Sequence, residues 1–355
     1  MNSPLFYREK PIFGFDIGHN TVKVMQIDTS SKKRTVTGYG YVEFENKIVK
    51  NGIIVDHDAM AKQVYALVTK HLVGSLDARR VAASLPVAST FNRILTLPEM
   101  NKNDLHQAVI LEAEQYIPMP VDDLYIDYEI AHTYKNNGSE VLLVAAPKTL
   151  VDSYIKLFDM LGLELALLET SINAVSRAVA HADNTGVPTL IIDFGSVSSD
   201  LSVFDETVRV TGTAEGGGDT ITDLIAKKMK VTDRQAYTIK TRYGLNAGKK
   251  QAQIYEALDP LLKKLLVEIK KMTRFYEDRS TTKRKIEQII ILGGGANLPG
   301  LSAYLTDKIR LPARLVDPWQ NLSFGNLQPP HKLETTLYTT AAGLAMADPK
   351  EVKND

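Results

Sequence analysis

The chain has 355 residues, and its 42 lysine and arginine residues balance its 42 aspartate and glutamate residues, so the formal net charge is zero. The length allows about two domains with ample core, and 44% hydrophobic with 24% charged residues is typical of a globular protein. The absence of cysteine excludes disulfides, thiolate metal sites and cysteine nucleophiles. No apolar run approaches the roughly 20 residues of a membrane-spanning helix, and zero net charge gives no overall attraction to nucleic acid.

Hydrophobic periodicity predicts alternating strands and helices along the whole chain. In the first half, strands are expected at 12–17, 22–28, 35–43, 80–85, 90–97, 125–132 and 140–146, with helices at 60–72, 104–116, 149–161 and 171–182. In the second half, strands are expected at 190–194, 200–204, 207–212, 286–292 and 314–316. Helices are expected at 219–229, 233–241 and 252–278, from about 298, and at 334–346.

Charge is distributed unevenly along these elements. Between Glu99 and Glu169 there are 13 acidic and 4 basic residues, whereas between Lys227 and Lys285 there are 17 basic and 6 acidic residues. Such runs are commonly solvated helix faces, but the asymmetry also predicts that the two regions face different partners. An alternative for the basic segment is that it faces anionic lipid head groups.

An internal repeat organises the chain. An apolar strand that ends in Asp-x-Gly occurs at 12–18 and again at 190–195, so that Asp16 and Asp193 are 177 positions apart. Each copy is followed by a turn, a second strand and a third strand. The period is far longer than the units of repeat arrays, and it predicts two related α/β domains around a cleft.

Three glycine-bearing turns follow strands and could together hold a nucleotide. Glycine lets the backbone approach a phosphate, whose oxygens accept from successive N–H groups, and carboxylates at strand ends can hold the water molecules of Mg²⁺. The third turn leaves room for a base or ribose and opens a helix N-terminus. The predicted ligands are Gly18, His19, Asn20, Thr21, Lys23, Gly195, Ser196, Ser198, Gly293, Gly294, Gly295 and Asn297, with Asp16 and Asp193 for Mg²⁺.

The sequence lacks the motifs of several other kinds of functional site. Neither a Walker A sequence nor G-x-G-x-x-G follows a strand, and no histidine pair has the spacing of a transition-metal site. Glu112 and Glu114 are two positions apart on one helix and do not share a face, which argues against a glycosidase-like carboxylate pair. No aromatic-basic interleaving points to single-stranded nucleic acid.

The order of the turns resembles the actin-like ATPases, a superfamily that includes sugar kinases, heat-shock chaperones and FtsA. In that resemblance the turns after Asp16 and Asp193 correspond to two phosphate loops, and residues 293–295 to the adenosine loop. Glu169 stands where chaperones place a glutamate that positions attacking water, and Lys240 where basic residues of relatives reach the ribose or base. The alternatives are that Glu169 caps the helix that follows it and that Lys240 is solvated.

Nearly the whole chain is similar to the PilM family of type IV pilus assembly. The similarity lies in Leu-Pro-Val-Ala-Ser-Thr-Phe at 85–91, Leu-Pro-Glu-Met at 97–100, Glu-Ala-Glu-Gln-Tyr-Ile-Pro at 112–118 and the glycine-rich stretch at 291–301. It implies an α/β fold with actin-like (ribonuclease H-like) duplicated domains around a nucleotide cleft and an inserted FtsA-type 1C αβ subdomain. The implied domains are 1A (1–86 and 162–187, completed by helix 334–347), 1C (87–161), 2A (188–218 and 286–333) and a helical 2B (219–285).

The same resemblance implies a cytoplasmic scaffold that binds ATP and Mg²⁺. Its partner would be the N-terminal tail of the inner-membrane protein PilN, bound in a groove between the inserted subdomain and the first domain. The expected groove walls include Phe91, Arg93, Glu112 and Tyr116. The resemblance places the chain at the cytoplasmic face of the inner membrane, in contact with the membrane only through its partner, with self-association possible and no role in nucleic-acid binding.

Two departures bear on catalysis. His19 occupies a position that is small and hydroxylated in PilM-like first loops, and Ser196 with Val197 replaces the two glycines of the chaperone loop. Both changes predict weak or absent ATP hydrolysis. The alternatives are a genuine ATPase or kinase of the actin fold and an FtsA-like filament former on the membrane. The acidic insertion further predicts that the PilN tail is basic.

Overall fold

A computed structural model describes residues 10–347, except 30–32, 135–137, 184, 247, 249 and 280–282. Contacts among these residues divide the chain into two compact units. The first unit comprises the described parts of 1–85, 152–182 and 318–355, and the second comprises those of 86–151 and 183–317. The finer division into four subdomains stays a prediction.

The N-terminal segment is rich in β-structure, and its predicted strands at 12–17 and 35–43 are confirmed. Its helix begins where the Asp56 side chain accepts from Ala59 N, and it buries Met60, Val64 and Leu67 on one face. The described elements are β1 (Ile12–Ile17), β2 (Thr21–Asp28), β3 (Thr35–Glu43), β4 (Val49–Lys50), β5 (Ile53–Ile54), α1 (His57–Lys70), β6 (Leu72–Gly74) and β7 (Arg80–Leu85).

An inserted segment follows β7 and forms a small sheet under a helix. The elements are β8 (Phe91–Leu97), α2 (Lys102–Tyr116), β9 (Leu124–Tyr134), β10 (Gly138–Pro147) and α3 (Lys148–Met160). The antiparallel order is β8-β10-β9. The Asn101 side chain caps α2 by accepting from two backbone N–H groups, and Leu105, Val109 and Ala113 pack on Val141. The boundary between the two units falls within α3.

The rest of the chain returns to the first unit and then builds the sheet of the second. The elements are β11 (Glu164–Thr170), α4 (Ser171–Ala182), β12 (Thr189–Phe194), β13 (Ser198–Asp205), β14 (Thr207–Glu215), α5 (Gly218–Met229), α6 (Asp233–Arg242), α7 (Gln251–Arg279), β15 (Gln288–Leu292), α8 (Leu301–Ile309), β16 (Ala313–Leu315) and α9 (Thr339–Ala345). Sequence periodicity did not predict β11, because its residues are half-buried without alternation.

The two main sheets have the same order and the same strand directions. In the first unit the order is β11-β7-β1-β2-β3, with β6 added at the edge, and in the second it is β16-β15-β12-β13-β14. In both sheets the first three strands of the order are parallel and the last two are antiparallel to their neighbours. The two Asp-x-Gly sequences therefore end equivalent strands, β1 and β12, of two sheets that share one topology.

The final helix was predicted as one segment at 334–346, but it is a short 3-10 turn, Thr335–Tyr338, followed by α9. Small residues let α9 lie against β1 and α4. A Cβ on Gly14 would be 2.2 Å from Ala341 O, and one on Gly343 would be 1.8 Å from Ala174 O. Any larger residue at either position would separate these backbones.

None of the described helices combines the length and the apolar character that crossing a lipid bilayer requires.

Candidate functional site

The first candidate turn joins two buried antiparallel strands, β1 and β2. Gly18 N donates to Thr21 O at 2.8 Å and closes the turn. The strand register pairs Asp16 directly with Lys23, and directly opposed side chains of an antiparallel pair lie on the same face. The register therefore brings a carboxylate and an ammonium group together next to the turn.

The carboxylate of Asp16 has a protein partner on each oxygen. Lys23 Nζ lies 2.7 Å from Oδ2, and Ser84 Oγ donates to Oδ1 at 2.9 Å. The side chains of the ion pair are only 8% and 10% exposed. The buried Tyr154 hydroxyl has no hydrogen-bond partner among the described residues, and burial together with the charge of Asp16 raises its pKa. Any Mg²⁺ at Asp16 would compete with the cation already there.

Glu169 lies near the carboxyl end of β11, beside Ser84 of β7 in the strand register. Its two oxygens accept from Arg177 of α4 at 2.7 and 2.9 Å, and Arg177 also donates to Gly343 O at 3.0 Å. A bidentate guanidinium–carboxylate pair fixes both geometry and charge. The Glu169 side chain is also only 9% exposed, so its remaining lone pairs have little access to a water molecule.

The second candidate turn joins β12 and β13 and is held by the start of α5. Gly218 N donates to Gly195 O at 2.8 Å, and Asp219 N donates to Ser196 O at 2.7 Å. A Cβ on Gly217 would lie 2.4 Å from Gly195 O. The glycines at 216–218 were not among the predicted ligands, although three consecutive glycines before an amphipathic helix are a signal of close backbone approach.

The third candidate turn, at 293–297, lies against the second one. The parallel strands β12 and β15 end side by side, with Asp193 paired to Leu292. Gly293 has φ +86°, and a Cβ there would lie 2.2 Å from Asp193 Oδ1. A Cβ on Gly218 would lie 3.3 Å from Gly295 Cα. Three separate segments, around 195, 217 and 294, thus form one glycine cluster at the carboxyl ends of parallel strands, where open α/β sheets bind ligands.

Lys240 is buried against this glycine cluster and is not solvated, since the residue is only 8% exposed. Its Nζ donates to Gly218 O at 2.9 Å and lies 4.7 Å from the Tyr237 ring centroid. Burial lowers the pKa of Lys240, and the negative charge of Asp219 opposes that shift. A lysine here supplies positive charge beside the N-terminus of α5.

His19 and Ser196 occupy the same place in the two turns, one residue after the turn glycine. Both are half-buried, and neither backbone N–H donates a hydrogen bond to a described residue. The Ser196 hydroxyl is buried and also has no partner in the described part of the chain. Unpaired N–H groups in tight turns are donors for phosphate oxygens. The remaining predicted ligands Asn20, Thr21, Ser198 and Asn297 are half-buried in or beside their turns.

Carboxylates are too few around these turns for a metal site made of protein ligands alone. Within the described ranges, no group of three or more histidine, aspartate or glutamate side chains could hold a metal ion. Asp193 is paired with Asp200 in the register, and Thr213 donates to Asp200 at 2.8 Å. Burial raises the pKa of Asp200, and the Thr213 hydrogen bond opposes the shift.

Three of the four predicted groove residues come together in the second unit. Phe91, Arg93 and Tyr116 line a cavity of about 240 Å³ with Thr211 of β14, whereas Glu112 does not line it. The Arg93 guanidinium carbon lies 3.4 Å from the Tyr116 ring centroid, a cation–π contact. The groove was predicted between the inserted subdomain and the first domain, whereas this cavity lies between the inserted segment and Thr211 of β14. The sequence does not show which strand β8 approaches.

Comparison with known proteins gives one family and one fold. A family model described as type IV pilus assembly protein PilM matches residues 14–348. The cell division protein FtsA of Streptococcus pneumoniae serotype 2 is 22% identical over an alignment 352 positions long, and the match covers 88% of this chain and 77% of that protein.

Solved structures agree on the fold. A PilM–PilN type IV pilus biogenesis complex superposes with a TM-score of 0.82 at 21% identity, covering 98% of this chain and 100% of that one. MreB5 of Spiroplasma citri bound to ADP superposes with a TM-score of 0.52 at 12% identity, covering 97% of each chain. The fold is thus the mixed α/β, actin-like fold shared by these proteins.

Proposed function

Because the chain belongs to the PilM family of type IV pilus assembly proteins, we propose that it is an ATP-binding scaffold that holds the N-terminal tail of a PilN-type membrane protein. In this proposal the partner keeps the chain at the cytoplasmic face of the inner membrane. Nucleotide and tail bind at different places, and each has its own structural support and its own test.

The nucleotide proposal is supported in the second unit by the glycine cluster and the unpaired N–H group of Ser196, and separately in the first unit by the unpaired N–H group of His19. Backbone donors and the N-terminus of α5 favour an anion, and the buried ammonium of Lys240 adds charge. MreB5, which shares the fold, has been solved with ADP and with AMPPNP. Phosphate oxygens would accept from these groups, and Asn297 lies in the turn proposed for the base and ribose.

Mg²⁺ would enter with the nucleotide and neutralise phosphate charge. Asp193 fits this role better than Asp16, because Lys23 already neutralises Asp16, whereas Asp193 is paired across the sheet with a second carboxylate, Asp200. The paired carboxylates of Asp193 and Asp200 concentrate negative charge on one face of the second sheet, which suits a hydrated divalent cation held through water.

The test for nucleotide binding is a shift in melting temperature with Mg²⁺-ATP. A ligand at 100 times its dissociation constant stabilises the folded state by about 2.7 kcal/mol. Lys240→Met should weaken the apparent affinity at least on the order of tenfold, whereas Lys227→Met, on the exposed face of α5, should not change it. No shift for the unmodified chain, or equal affinities for the two variants, would contradict the proposal.

Catalysis is proposed to be slow. The only glutamate predicted to position water, Glu169, is held by Arg177 through both oxygens and is only 9% exposed, so it is poorly placed to orient an attacking water. Phosphate release from Mg²⁺-ATP should therefore stay near the uncatalysed background. Rapid turnover that Asp193→Ala abolishes would instead favour the rival function, a genuine ATPase or kinase of this fold.

The observation that carries the partner proposal is the cavity lined by Phe91, Arg93 and Tyr116. Phe91 and Tyr116 come from sequence stretches that resemble the PilM family, and all three residues meet on the acidic inserted segment. A tail with an apolar or aromatic anchor would fill the cavity, and basic residues beside that anchor would face the acidic surface. The solved PilM–PilN complex has the same fold.

The test is calorimetric titration of the full chain with a synthetic PilN tail. Tyr116→Ala should weaken binding on the order of tenfold. Tyr125→Ala is the matched control, because Tyr125 is similarly exposed (46% against 49%) and also lies under a cation, Lys148. Equal losses in both variants, or an affinity that added salt leaves unchanged, would contradict the proposed groove.

A further inference from the structure

The first unit contains a larger cavity that shares no residue with the turns or the groove. It has a volume of about 580 Å³ and lies between β3, β6 and the segment at 328–338. That volume is within the range of about 300–1,000 Å³ that is usual for small-molecule sites. The lining residues that matter for its chemistry are Tyr39, Tyr41, Glu43, Gln328, Glu334 and Tyr338.

Three tyrosines supply the aromatic part of this cavity. The Tyr338 ring makes edge-to-face contacts with Tyr39 and Tyr41, at centroid distances of 5.4 and 6.1 Å. The Tyr39 hydroxyl donates to the carbonyl of Gln328. Tyr338 is only 2% exposed, yet its hydroxyl has no hydrogen-bond partner in the described part of the chain. The ring is buried, but the hydroxyl oxygen is not among the buried polar atoms, so a ligand in the cavity could donate to it.

The charge of the lining is negative. Glu334 lies close enough to raise the pKa of both Tyr39 and Tyr338, in each case after the larger effect of burial. Glu43 adds a second carboxylate, and the described lining contains two histidines but no lysine or arginine. The cavity thus offers acceptor oxygens together with the half-buried ring of Tyr41, and its described lining holds no lysine or arginine to neutralise the carboxylates.

We propose that this cavity binds the guanidinium group of an arginine. A guanidinium group has five N–H donors in one plane and no acceptor, so it can pair with the Glu334 carboxylate while it donates to the Tyr338 hydroxyl oxygen. Its flat faces stack on tyrosine rings more readily than the strongly hydrated ammonium of lysine. The site is independent of the proposed nucleotide and tail binding, and it would stand if both failed.

The single tryptophan provides a local reporter. Trp319 is the only tryptophan of the chain, and its ring centroid lies 5.8 Å from that of Tyr338. Titration of the full chain with N-acetyl-arginine amide should change the Trp319 fluorescence in a saturable manner. N-acetyl-citrulline amide, which has the same shape without the charge, should bind at least on the order of tenfold more weakly.

Two further ligands distinguish the source of the arginine. A capped Gly-Arg-Gly peptide that binds more tightly than free L-arginine indicates an arginine within a partner chain. The reverse order indicates the free amino acid. Both outcomes support a guanidinium site, whereas equal binding of the citrulline and arginine amides would overturn it.

Substitutions of lining residues test whether the arginine amide binds in this cavity. Glu334→Gln should weaken binding of the arginine amide on the order of tenfold, since it removes the charge but keeps the shape. Tyr338→Phe should weaken it less, because only the hydroxyl is lost. Glu45→Gln is the matched control, since Glu45 lies two residues from Glu43, is 73% exposed at the side chain and pairs with Lys47.

The proposal is overturned if the unmodified chain gives no saturable change up to tens of millimolar ligand. It is also overturned if Glu334→Gln and Glu45→Gln bind equally well. Melting temperatures of the variants without ligand show whether they are folded. If Glu334→Gln is unstable, Tyr338→Phe, which keeps the buried ring, tests the same site.

Discussion

The turns after Asp16 and Asp193 have the same backbone pattern but opposite electrostatics. In both, the aspartate is paired across the sheet with the residue seven positions later. In the first turn that residue is Lys23, which forms a buried ion pair with Asp16 at 2.7 Å. In the second it is Asp200, so two carboxylates share one face. The two turns therefore share one topology but differ in charge.

This difference assigns separate roles to the two turns. The first is neutralised by its own lysine, and its stability should depend on that pair. The second keeps an excess of negative charge beside a helix N-terminus, a buried Lys240 and a cluster of glycines. We expect the second turn to be the one whose charge balance changes when a nucleotide and its cation bind.

The largest expected effect is the loss of stability when alanine replaces a glycine, which should be much greater at the second turn than at the first. Gly217→Ala places a Cβ 2.4 Å from Gly195 O and 2.6 Å from Ser196 C. Backbone atoms cannot give way cheaply, so the variant should lose on the order of 5 kcal/mol of unfolding free energy or fail to accumulate as soluble protein.

In Gly18→Ala the nearest atoms are the ends of two flexible side chains, each 3.1 Å from the new Cβ, so the cost should be about 1 kcal/mol. Denaturant midpoints measure both variants. Gly248→Ala, where nothing lies within 4 Å, is the control for the substitution itself. Similar costs at Gly217 and Gly18 would remove the distinction between the turns.

A smaller effect tests the ion pair of the first turn. Asp16→Asn leaves the buried ammonium of Lys23 without its counter-charge and should cost about 3 kcal/mol. The double variant with Lys23→Met should recover much of that loss, because no charge then remains buried. Thermal and denaturant unfolding measure the cycle, and additive losses in the double variant would show that the pair is not coupled.

The smallest effect concerns Asp200 and depends on pH. Because burial raises the pKa of Asp200 in the folded state, the folded state holds its proton more tightly than the unfolded state does. The unmodified chain therefore loses stability as pH rises from about 4 through the folded pKa. Asp200→Asn keeps an acceptor for Thr213 but has no carboxylate to ionise, so its stability does not fall with rising pH for this reason.

Stability of Asp200→Asn relative to the unmodified chain should thus improve with rising pH, by at most on the order of 1 kcal/mol. Unfolding midpoints at pH 4 and pH 7 measure the change. Asp58→Asn, in the exposed first turn of α1, controls for loss of a carboxylate. A difference that shrinks as pH rises would contradict the assigned direction.

Much of the fold could be predicted from the sequence, since strand periodicity and Asp-x-Gly turns are local signals. Strands 12–17 and 35–43 were predicted to the residue, and the repeat of Asp16 and Asp193 has its counterpart in two sheets of equal topology. The strand β11 was missed, because partial burial along its length left no alternation to detect.

Contacts between distant segments could not be predicted in the same way. Ser84 binds Asp16 from 68 positions away, and Gly218 meets Gly195 through the backbone. The partner of Glu169 is only eight positions away, but the choice between capping a helix and pairing with Arg177 depends on how α4 docks. These contacts depend on how the elements pack together, and hydrophobic periodicity does not predict that packing.

The position of α9 has a consequence for biosynthesis. Gly14 of β1 contacts Ala341 of α9, so this strand packs against a helix that is synthesised 327 residues later. At about 5–20 residues per second, roughly 15–65 s pass between the synthesis of β1 and that of this helix. Until then its apolar residues lack their final cover, and a chaperone that shields the nascent first unit during that interval would raise the yield of folded protein.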